Sequence, residues 1–266
     1  MTTARELAGD LLRLGVVAGE VVMVHASLRR IGPVEDGATG VIEALDLAVG
    51  PGGTLLMTLG DRDDWAWVNQ LPPTERAGSL AEALPFDCLR APADPDVGVL
   101  GEVFRQCPGT LVSDHPEGRF GARGHLAHQL TSDVPWDDYY GSGSPLERLC
   151  QAHGKVLRLG ADPDTVTLLH YAEYLAPLSS KRRVVRHRRV LGSDGPEIRT
   201  ITCLDDTNGV ADHPGEDYFA LILGAYLRTG RGRGGVVGRA RSELIDAADL
   251  VDFGVAWMAE NLAPGA

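Results

Sequence analysis

The spacing of apolar residues along the chain predicts strands that alternate with helices. Leu7, Leu11 and Leu14 recur at helical spacing and indicate an amphipathic first helix. Three short apolar runs predict strands: EVVMVHAS (20–27), GGTLLMTLG (52–60) and KVLRLG (155–160). Longer periodic segments predict helices over 37–50, 97–109, 144–154, 164–176, 211–230 and 242–262. This alternation favours an α/β fold with a central mixed, partly parallel sheet flanked by helices.

The stretch 61–95 departs from this pattern. It has weak periodicity, several prolines and two of the four tryptophans. These features predict a variable insertion, or a smaller inserted subdomain, that covers one end of the sheet. No Pro/Gly-rich or charged linker divides the rest of the chain, so residues 1–266 are expected to form a single domain.

Composition narrows the class of protein. Hydrophobic residues make up 44% of the chain and charged residues 23%, as in globular proteins. No apolar run approaches the ~18 residues of a membrane span, and the N-terminus lacks a signal-peptide core. The four cysteines are scattered and form no CxxC pair, which argues against a disulfide framework. We therefore expect a cytoplasmic protein that has no membrane partner.

The formal net charge of −12 limits the choice of partners. An acidic surface repels nucleic acid and attracts cations, so it suits a polycationic substrate, although the same charge also aids solubility. The basic run KRRVVRHRRV (181–190) is therefore interpreted as a solvated strand face and not as a nucleic-acid patch.

The segment TVTLLHYAEYLA (165–176) carries the clearest candidate chemistry. His170 and Glu173 are three residues apart and share one face of a helix, for which Asp164 is a candidate N-cap. Tyr171 and Tyr174 stand where known zinc helices need glutamate or histidine, so we expect no metal. The pair is either a core histidine bonded to a carboxylate or a catalytic base. Its position after a strand and a short turn favours a functional site.

Three loops have features of ligand sites. VHASLRRIGPVEDG (24–37) joins a strand to a small-residue turn with two arginines, which suits phosphate but also describes an ordinary turn. YGSGSPLERL (140–149) is a weak nucleotide motif and a good helix start, with Ser144 as N-cap and Pro145 at N1. CLDDTNGV (203–210) predicts a turn whose aspartates, Asp205 or Asp206, could orient His170. The chain contains no Gly-x-Ser-x-Gly elbow, which disfavours a serine hydrolase.

In this order, the motifs resemble the aminoglycoside 3-N-acetyltransferase (antibiotic N-acetyltransferase) family over most of the chain. The resemblance rests on VHASLRRIGPV, GPGGTLLM, DPDVGVLGEVFRQCPG, YGSGSPLERLCQAHGKVLRLGADPDTVTLLHYAEYLAP, DTNGV and the C-terminal GVVGRARSELIDAADLVDFGVAWMAENL. It implies acetyl-CoA as the donor and the 3-amino group of a 2-deoxystreptamine antibiotic as the acceptor. It also implies direct transfer without a covalent enzyme intermediate.

The same resemblance implies roles for individual residues. His170 matches the general base, and Glu173 matches the neighbouring acid. Asp206 matches an acidic position near the histidine. Either Asp205 or Asp206 could be the acid that pairs with His170. The implied cofactor contacts are Ser27, Leu28, Arg29, Arg30, Gly32 and Val34 in the turn 27–34, with Ser113, His115 and Arg119. Arg119 stands where many members have a small polar residue. Expected substrate contacts are Asp63, Asp64 and Trp65, with Asp61 beside them, and also Tyr140 and Asp205.

Two other functions fit parts of these observations. The same fold acting on a different amine, such as a biosynthetic intermediate, needs the same motifs and a different 61–95 wall. A non-catalytic binder of cationic drugs needs an acidic cleft but neither His170 nor the cofactor turn. The enzyme is expected to be a monomer or a homodimer.

Overall fold

A seven-stranded mixed sheet forms the centre of the molecule. The computed structural model describes residues 1–60, 63–213 and 217–262. The strands of this sheet are β1 (Val21–Ala26), β2 (Thr54–Thr58), β3 (Leu111–Val112), β4 (Phe120–Gly124), β5 (Lys155–Leu159), β8 (Arg233–Val237) and β9 (Ala240–Asp246). Their order is β3-β4-β2-β1-β5-β9-β8, in which β2, β1 and β5 run parallel and the other pairings are antiparallel. A separate hairpin pairs β6 (Arg183–Gly192) with β7 (Gly195–Leu204). The predicted fold class is confirmed.

Helices cover both faces of the sheet. They are α1 (Ala4–Leu14), α2 (Leu28–Ile31), α3 (Gly37–Val49), α4 (Pro73–Glu82), α5 (Val99–Gln106), α6 (Ala127–Thr131), α7 (Pro145–Gln151), α8 (Leu169–Leu175), α9 (Tyr218–Arg228) and α10 (Ala247–Asn261). Val22 and Val24 of β1 pack with α1, α3 and α5 on one face. Val21 and Met23 pack with α7, α8, α9 and α10 on the other. Alternate residues of a strand point to opposite faces, so β1 is apolar throughout.

Capping residues explain where several helices begin. Thr3 and Glu6 form a capping box at the start of α1, and Ser144 caps α7 with Pro145 at N1, as predicted. The prediction of Asp164 as an N-cap is wrong, because Pro163–Thr165 form a 3₁₀ turn and α8 begins only at Leu169. The helix predicted from 242 is also too long. Residues 242–246 continue β9, and the side chain of Asp246 then caps α10.

The basic run 181–190 is not the solvated strand face that its charge suggested. It forms most of β6, and alternate arginines turn inwards: Arg186 and Arg188 are largely buried and pair with acidic residues. Ion pairing makes this burial possible, because an unpaired guanidinium would lose its hydration without compensation.

The part of 61–95 that the structure describes packs against this hairpin. It contains a 3₁₀ segment, Ala66–Gln70, followed by α4. The backbone N–H of Phe86 donates to the carbonyl of Arg189 at 2.9 Å, and that of His187 donates to the Asn69 side chain at 2.7 Å. Asp61 lies outside the described residues. Within them, no helix combines the length and the apolar character that crossing a membrane requires.

Candidate active site

The parallel strands open into a cavity at their carboxyl ends. This strand-end cavity, of about 540 Å³, lies where β1, β2 and β5 finish. Its wall includes His25, Ser27, Leu28, Thr58, Thr165 and Thr167. Burial, together with the nearby Arg158, lowers the pKa of His25 to about 4, so its imidazole is neutral at physiological pH. The cavity offers hydroxyls, backbone groups and apolar surface, with carboxylates only at its rim.

The predicted cofactor turn forms one side of the strand-end cavity. Ser27 and Leu28 line it, whereas Arg29 and Arg30 are exposed beside it. Arg30 pairs with Asp162 at 2.6 Å and donates to the Gly160 carbonyl at 2.6 Å, which fixes the turn against the end of β5. Gly32 has a φ of 89°, a conformation that favours glycine. Val34 is buried in the hydrophobic core, so its side chain belongs to packing.

His170 and Glu173 form a tight pair on α8. The distance from His170 Nδ1 to Glu173 Oε2 is 2.7 Å, and the Glu173 side chain is only 1% exposed. The Tyr218 hydroxyl donates to the other carboxylate oxygen of Glu173. Tyr140 stacks on the imidazole, with ring centroids 4.9 Å apart and planes 8° apart, and Phe219 contacts its edge. The imidazole is thus held by a carboxylate and two rings.

Charge around His170 sets its protonation. Burial by itself lowers the pKa of His170, but the charge and hydrogen bond of Glu173 outweigh this effect, with help from Asp206 and Asp217. The net result is a raised pKa. When Nδ1 donates its proton to Glu173, Nε2 is left as the nitrogen that accepts a further proton. This tautomer is the one a general base requires.

An acidic cavity of about 300 Å³ borders the imidazole. Four carboxylates line it together with His170: Glu173, Asp206, Asp212 and Asp217. His213, Tyr218 and Phe219 also contribute to the wall. Several carboxylates around a small volume attract cations, and a partly desolvated site strengthens this attraction.

Asp205 and Asp206 have different surroundings. The carboxylate of Asp205 accepts hydrogen bonds from the backbone N–H groups of Thr207 and Asn208 and from the Asn208 side chain. Asp205 is 3% exposed, so it stabilises the turn that follows β7. Asp206 lines the acidic cavity and raises the pKa of His170. Asp205 therefore offers a substrate little surface.

Three residues of the expected cofactor site lie in the interior. Ser113, His115 and Arg119 are each 0% exposed. Ser113 and His115 bond the backbone of the loop 115–120, and the Arg119 guanidinium donates to the carbonyls of Cys88, Ala91 and Pro92. Their side chains are used for folding, because buried polar groups must find partners. This placement does not agree with the cofactor contacts expected for these three residues.

The expected substrate wall is only partly beside His170. Asp63, Asp64 and Trp65 line a separate cavity of about 190 Å³, next to Arg188. Asp63 pairs with Arg188 at 3.2 Å. Tyr140, which is 8% exposed, packs directly on His170.

Sequence reasoning missed several neighbours of His170. Tyr218, Phe219 and Asp217 come from the start of α9, and Arg186 and Tyr139 surround Asp206. The segment EDYFALIL gives only a helical signal, and Arg186 is one of six basic residues in its run. Among residues 1–60, 63–213 and 217–262, no group of three or more histidine, cysteine or acidic side chains is placed to hold a metal ion.

The two cavities share one short segment of chain. Thr165 and Thr167 line the strand-end cavity, and His170, three residues later, lines the acidic cavity. The backbone N–H of His170 donates to the Thr167 carbonyl at 3.1 Å, so the segment is continuous and compact. The imidazole of His170 therefore lines the acidic cavity and is three residues along the chain from the wall of the strand-end cavity.

Known proteins share both the sequence pattern and the fold of this chain. The family described as aminoglycoside 3-N-acetyltransferase matches residues 23–259. Aminoglycoside N(3)-acetyltransferase III from Serratia marcescens is 40% identical over 272 residues, covering 98% of each chain. Among solved structures, AAC-IIIb in a binary complex with CoASH has a TM-score of 0.93 at 39% identity, covering 100% of this chain and 99% of that one. AAC-VIa bound to sisomicin has a TM-score of 0.89 at 38% identity, covering 97% and 98%.

The fold and the matching family model define an acetyltransferase. At this identity and coverage, the chain belongs to the aminoglycoside 3-N-acetyltransferase family. The family expected from the motifs is confirmed. The protein is an acyltransferase of the antibiotic-resistance class, and acetyl-CoA is its co-substrate.

Proposed function

We propose that the protein transfers an acetyl group directly from acetyl-CoA to the 3-amino group of a 2-deoxystreptamine aminoglycoside, with His170 as general base. The observation that carries this proposal is that His170 lines the acidic cavity three residues from the wall of the strand-end cavity, with Nδ1 bonded to Glu173 at 2.7 Å. A core histidine with only a structural role would have no need of an acidic cavity beside its ring.

Acetyl-CoA is proposed to occupy the strand-end cavity. Its pantetheine arm is a chain of amides and methylenes, which suits a wall of hydroxyls, backbone groups and apolar side chains. Ser27 and Leu28 would contact this arm, and Gly32 would allow the pyrophosphate to approach the backbone. Arg29 is exposed next to Leu28 and can pair with phosphate, and Arg30 would do so by exchanging its partner Asp162 for phosphate. The structural relative AAC-IIIb was solved with CoASH, which supports this assignment.

The aminoglycoside is proposed to occupy the acidic cavity. Its ammonium groups would be attracted by Asp206, Asp212 and Asp217. The placement of Asp205 within its own turn favours Asp206 as the acid that acts with His170. AAC-VIa was solved with sisomicin, a cationic drug of this class. The segment 61–95 is proposed as an inserted, variable part of a single domain, near the substrate cleft.

The chemical step follows from the charges. An ammonium group has no lone pair, so it must lose a proton before or as it attacks. One proton of the ammonium is released to solvent, and Nε2 of His170 takes a second proton from the amine nitrogen as that nitrogen bonds to the thioester carbonyl carbon. The carbon–sulfur bond then breaks, CoA leaves as a thiolate, and the imidazolium returns a proton to it. Glu173 stabilises the imidazolium throughout. No covalent enzyme intermediate is required.

The test is release of free thiol from acetyl-CoA by the purified protein. The panel would contain aminoglycosides with a free 3-amino group and matched compounds in which that amine is blocked or absent. Release confined to drugs with a free 3-amine supports the proposal. Binding of acetyl-CoA without release indicates a different amine, and no binding of acetyl-CoA contradicts the proposal.

His170→Ala separates catalysis from binding. We expect turnover to fall roughly 10²–10⁴-fold, the range of general-base catalysis, while calorimetry shows the drug and CoA still binding. Exposed His153→Ala on the loop after α7 is the control and should keep full activity. Near-normal turnover by His170→Ala would rule out the base assignment.

A further inference from the structure

Arg186, which the chemical step does not use, lies at the centre of a shielded charge network. Its side chain is 16% exposed. One nitrogen, Nη2, donates to Asp206 Oδ1 at 2.5 Å, and Nη1 donates to the Tyr139 hydroxyl at 2.7 Å. That hydroxyl in turn donates to Asp206 Oδ2 at 2.5 Å. Both oxygens of Asp206 are therefore held, one by Arg186 and one by Tyr139.

Glu117 and Arg188 extend this network beyond Arg186. Arg188 donates to Glu117 Oε1 at 2.5 Å, and Glu117 Oε2 lies 3.5 Å from Arg186 Nη1. Arg188 also pairs with Asp63 at 3.2 Å. Charges of alternating sign thus run from Asp63 through Arg188, Glu117 and Arg186 to Asp206. Such a network fixes the Arg186 side chain better than a single exposed ion pair would.

Burial of Asp206 makes this support necessary. Desolvation raises the pKa of Asp206, but Arg186 outweighs it through its charge and hydrogen bond, so the pKa is lowered. The ionisable groups that surround Asp206 or its partners come from several elements: Arg186, Tyr139, Tyr140, His170, Cys203 and Glu117. Arg186 is the permanent cation among them that bonds the carboxylate directly. Without it, a largely desolvated Asp206 would take up a proton more readily.

We propose that Arg186 is a positioning residue for acceptor binding. It holds the Asp206 carboxylate ionised and fixed at the wall of the acidic cavity, where its charge meets the acceptor ammonium and supports His170. The inference rests on the proposed function, because it assigns the acidic cavity to an amine acceptor. It adds the residue that keeps this cavity charged, and it places that residue on the hairpin β6–β7.

The experiment compares Arg186→Gln and Arg186→Lys with a matched control, Arg183→Gln. Arg183 lies on the same strand, but its pair with Asp138 is 44% and 42% exposed. Sisomicin binding is measured by calorimetry, acetyl-CoA binding separately, and kcat/KM as a function of pH. Thermal melting checks the fold, and Tyr139→Phe, which keeps every charge, replaces Arg186→Gln if that variant does not fold.

Arg186→Gln is expected to weaken sisomicin binding roughly tenfold or more, with acetyl-CoA affinity within about twofold. The acidic side of its kcat/KM profile should gain a second ionisation, that of Asp206, which is absent from the wild type and from Arg183→Gln. Arg186→Lys keeps the charge and should recover part of the affinity and a single ionisation. If Arg186→Gln is unfolded, Tyr139→Phe should weaken sisomicin binding by a smaller factor and leave acetyl-CoA binding intact.

Unchanged sisomicin affinity and an unchanged pH profile in the folded variants would overturn the inference. Equal losses for sisomicin and acetyl-CoA would also overturn it, because they indicate a general structural role. Failure of the proposed function looks different: the wild type itself would bind sisomicin without acetylating it, and the binding comparison among variants would still be decisive.

Discussion

Replacing Glu173 by glutamine is the most direct test of how the protonation of His170, the proposed base, is controlled. The change keeps the size of the side chain and removes its charge. Glu173 is 1% exposed and lies 2.7 Å from His170 Nδ1, so little solvent screens the pair. Two unit charges about 4 Å apart, at an effective dielectric constant near 20, interact by ~4 kcal/mol. The imidazolium formed during proton transfer would lose most of this stabilisation.

The rate and the pH profile should both respond. A loss of about 2–4 kcal/mol at the transition state lowers kcat by roughly 30- to 1,000-fold. Without the Glu173 charge, burial becomes the dominant influence and lowers the pKa of His170. The base form then persists to lower pH, so the acidic side of the kcat/KM profile moves to lower pH while the plateau falls.

The assay is thiol release from acetyl-CoA with sisomicin, measured across the pH range in which both variants stay folded. Glu197→Gln, on the half-exposed face of β7, is the control and should behave like the wild type. The reasoning would be refuted by a plateau within about threefold of the wild type. It would equally be refuted by an acidic limb that stays in place or moves to higher pH.

Two further predictions concern residues whose roles the packing distinguishes. Asp206→Asn should greatly reduce turnover, whereas Asp205→Asn should mainly lower the free energy of unfolding, by about 1–3 kcal/mol, because its turn loses a charged acceptor. Steady-state kinetics and urea denaturation of both variants test this. If Asp205→Asn loses turnover and Asp206→Asn keeps it, Asp205 and not Asp206 is the acid that acts with His170. Arg119→Met should destabilise the fold by about 3 kcal/mol, since the carbonyls of three residues lose their donor, and should leave the KM for acetyl-CoA unchanged. A raised KM with normal stability would instead support a cofactor role for Arg119.

Some features of the fold were readable from local pattern. The runs at 20–27, 52–60 and 155–160 are continuous and apolar because β1, β2 and β5 are buried on both faces. Short strands gave weaker signals. β3 has two residues, and the exposed β8 has two glycines and an arginine among its five residues, so neither carries an apolar period that distinguishes it from a loop.

The pairing of His170 with Glu173 was also readable from local sequence. His170 and Glu173 meet because residues three apart share a helix face, and this needs only the backbone of α8. The motifs of the family then implied what such a pair does. The order of strand, turn and helix further predicted that the site would lie at the carboxyl ends of the parallel strands.

Only the tertiary structure decided which charges meet. Asp206 and Arg186 are 20 residues apart, and Glu117 is 71 residues from Arg188, yet each pair is in contact. The same packing buried Arg119 away from the cavities. It also placed Asp205 within its own turn and Asp206 at the wall of the acidic cavity. Periodicity fixes which face of an element is apolar, because that depends on neighbours along the chain. The partner of a buried charge depends on which distant element packs against it. A buried charge without an opposite partner costs desolvation energy only once the chain has folded, so the local sequence does not reveal it.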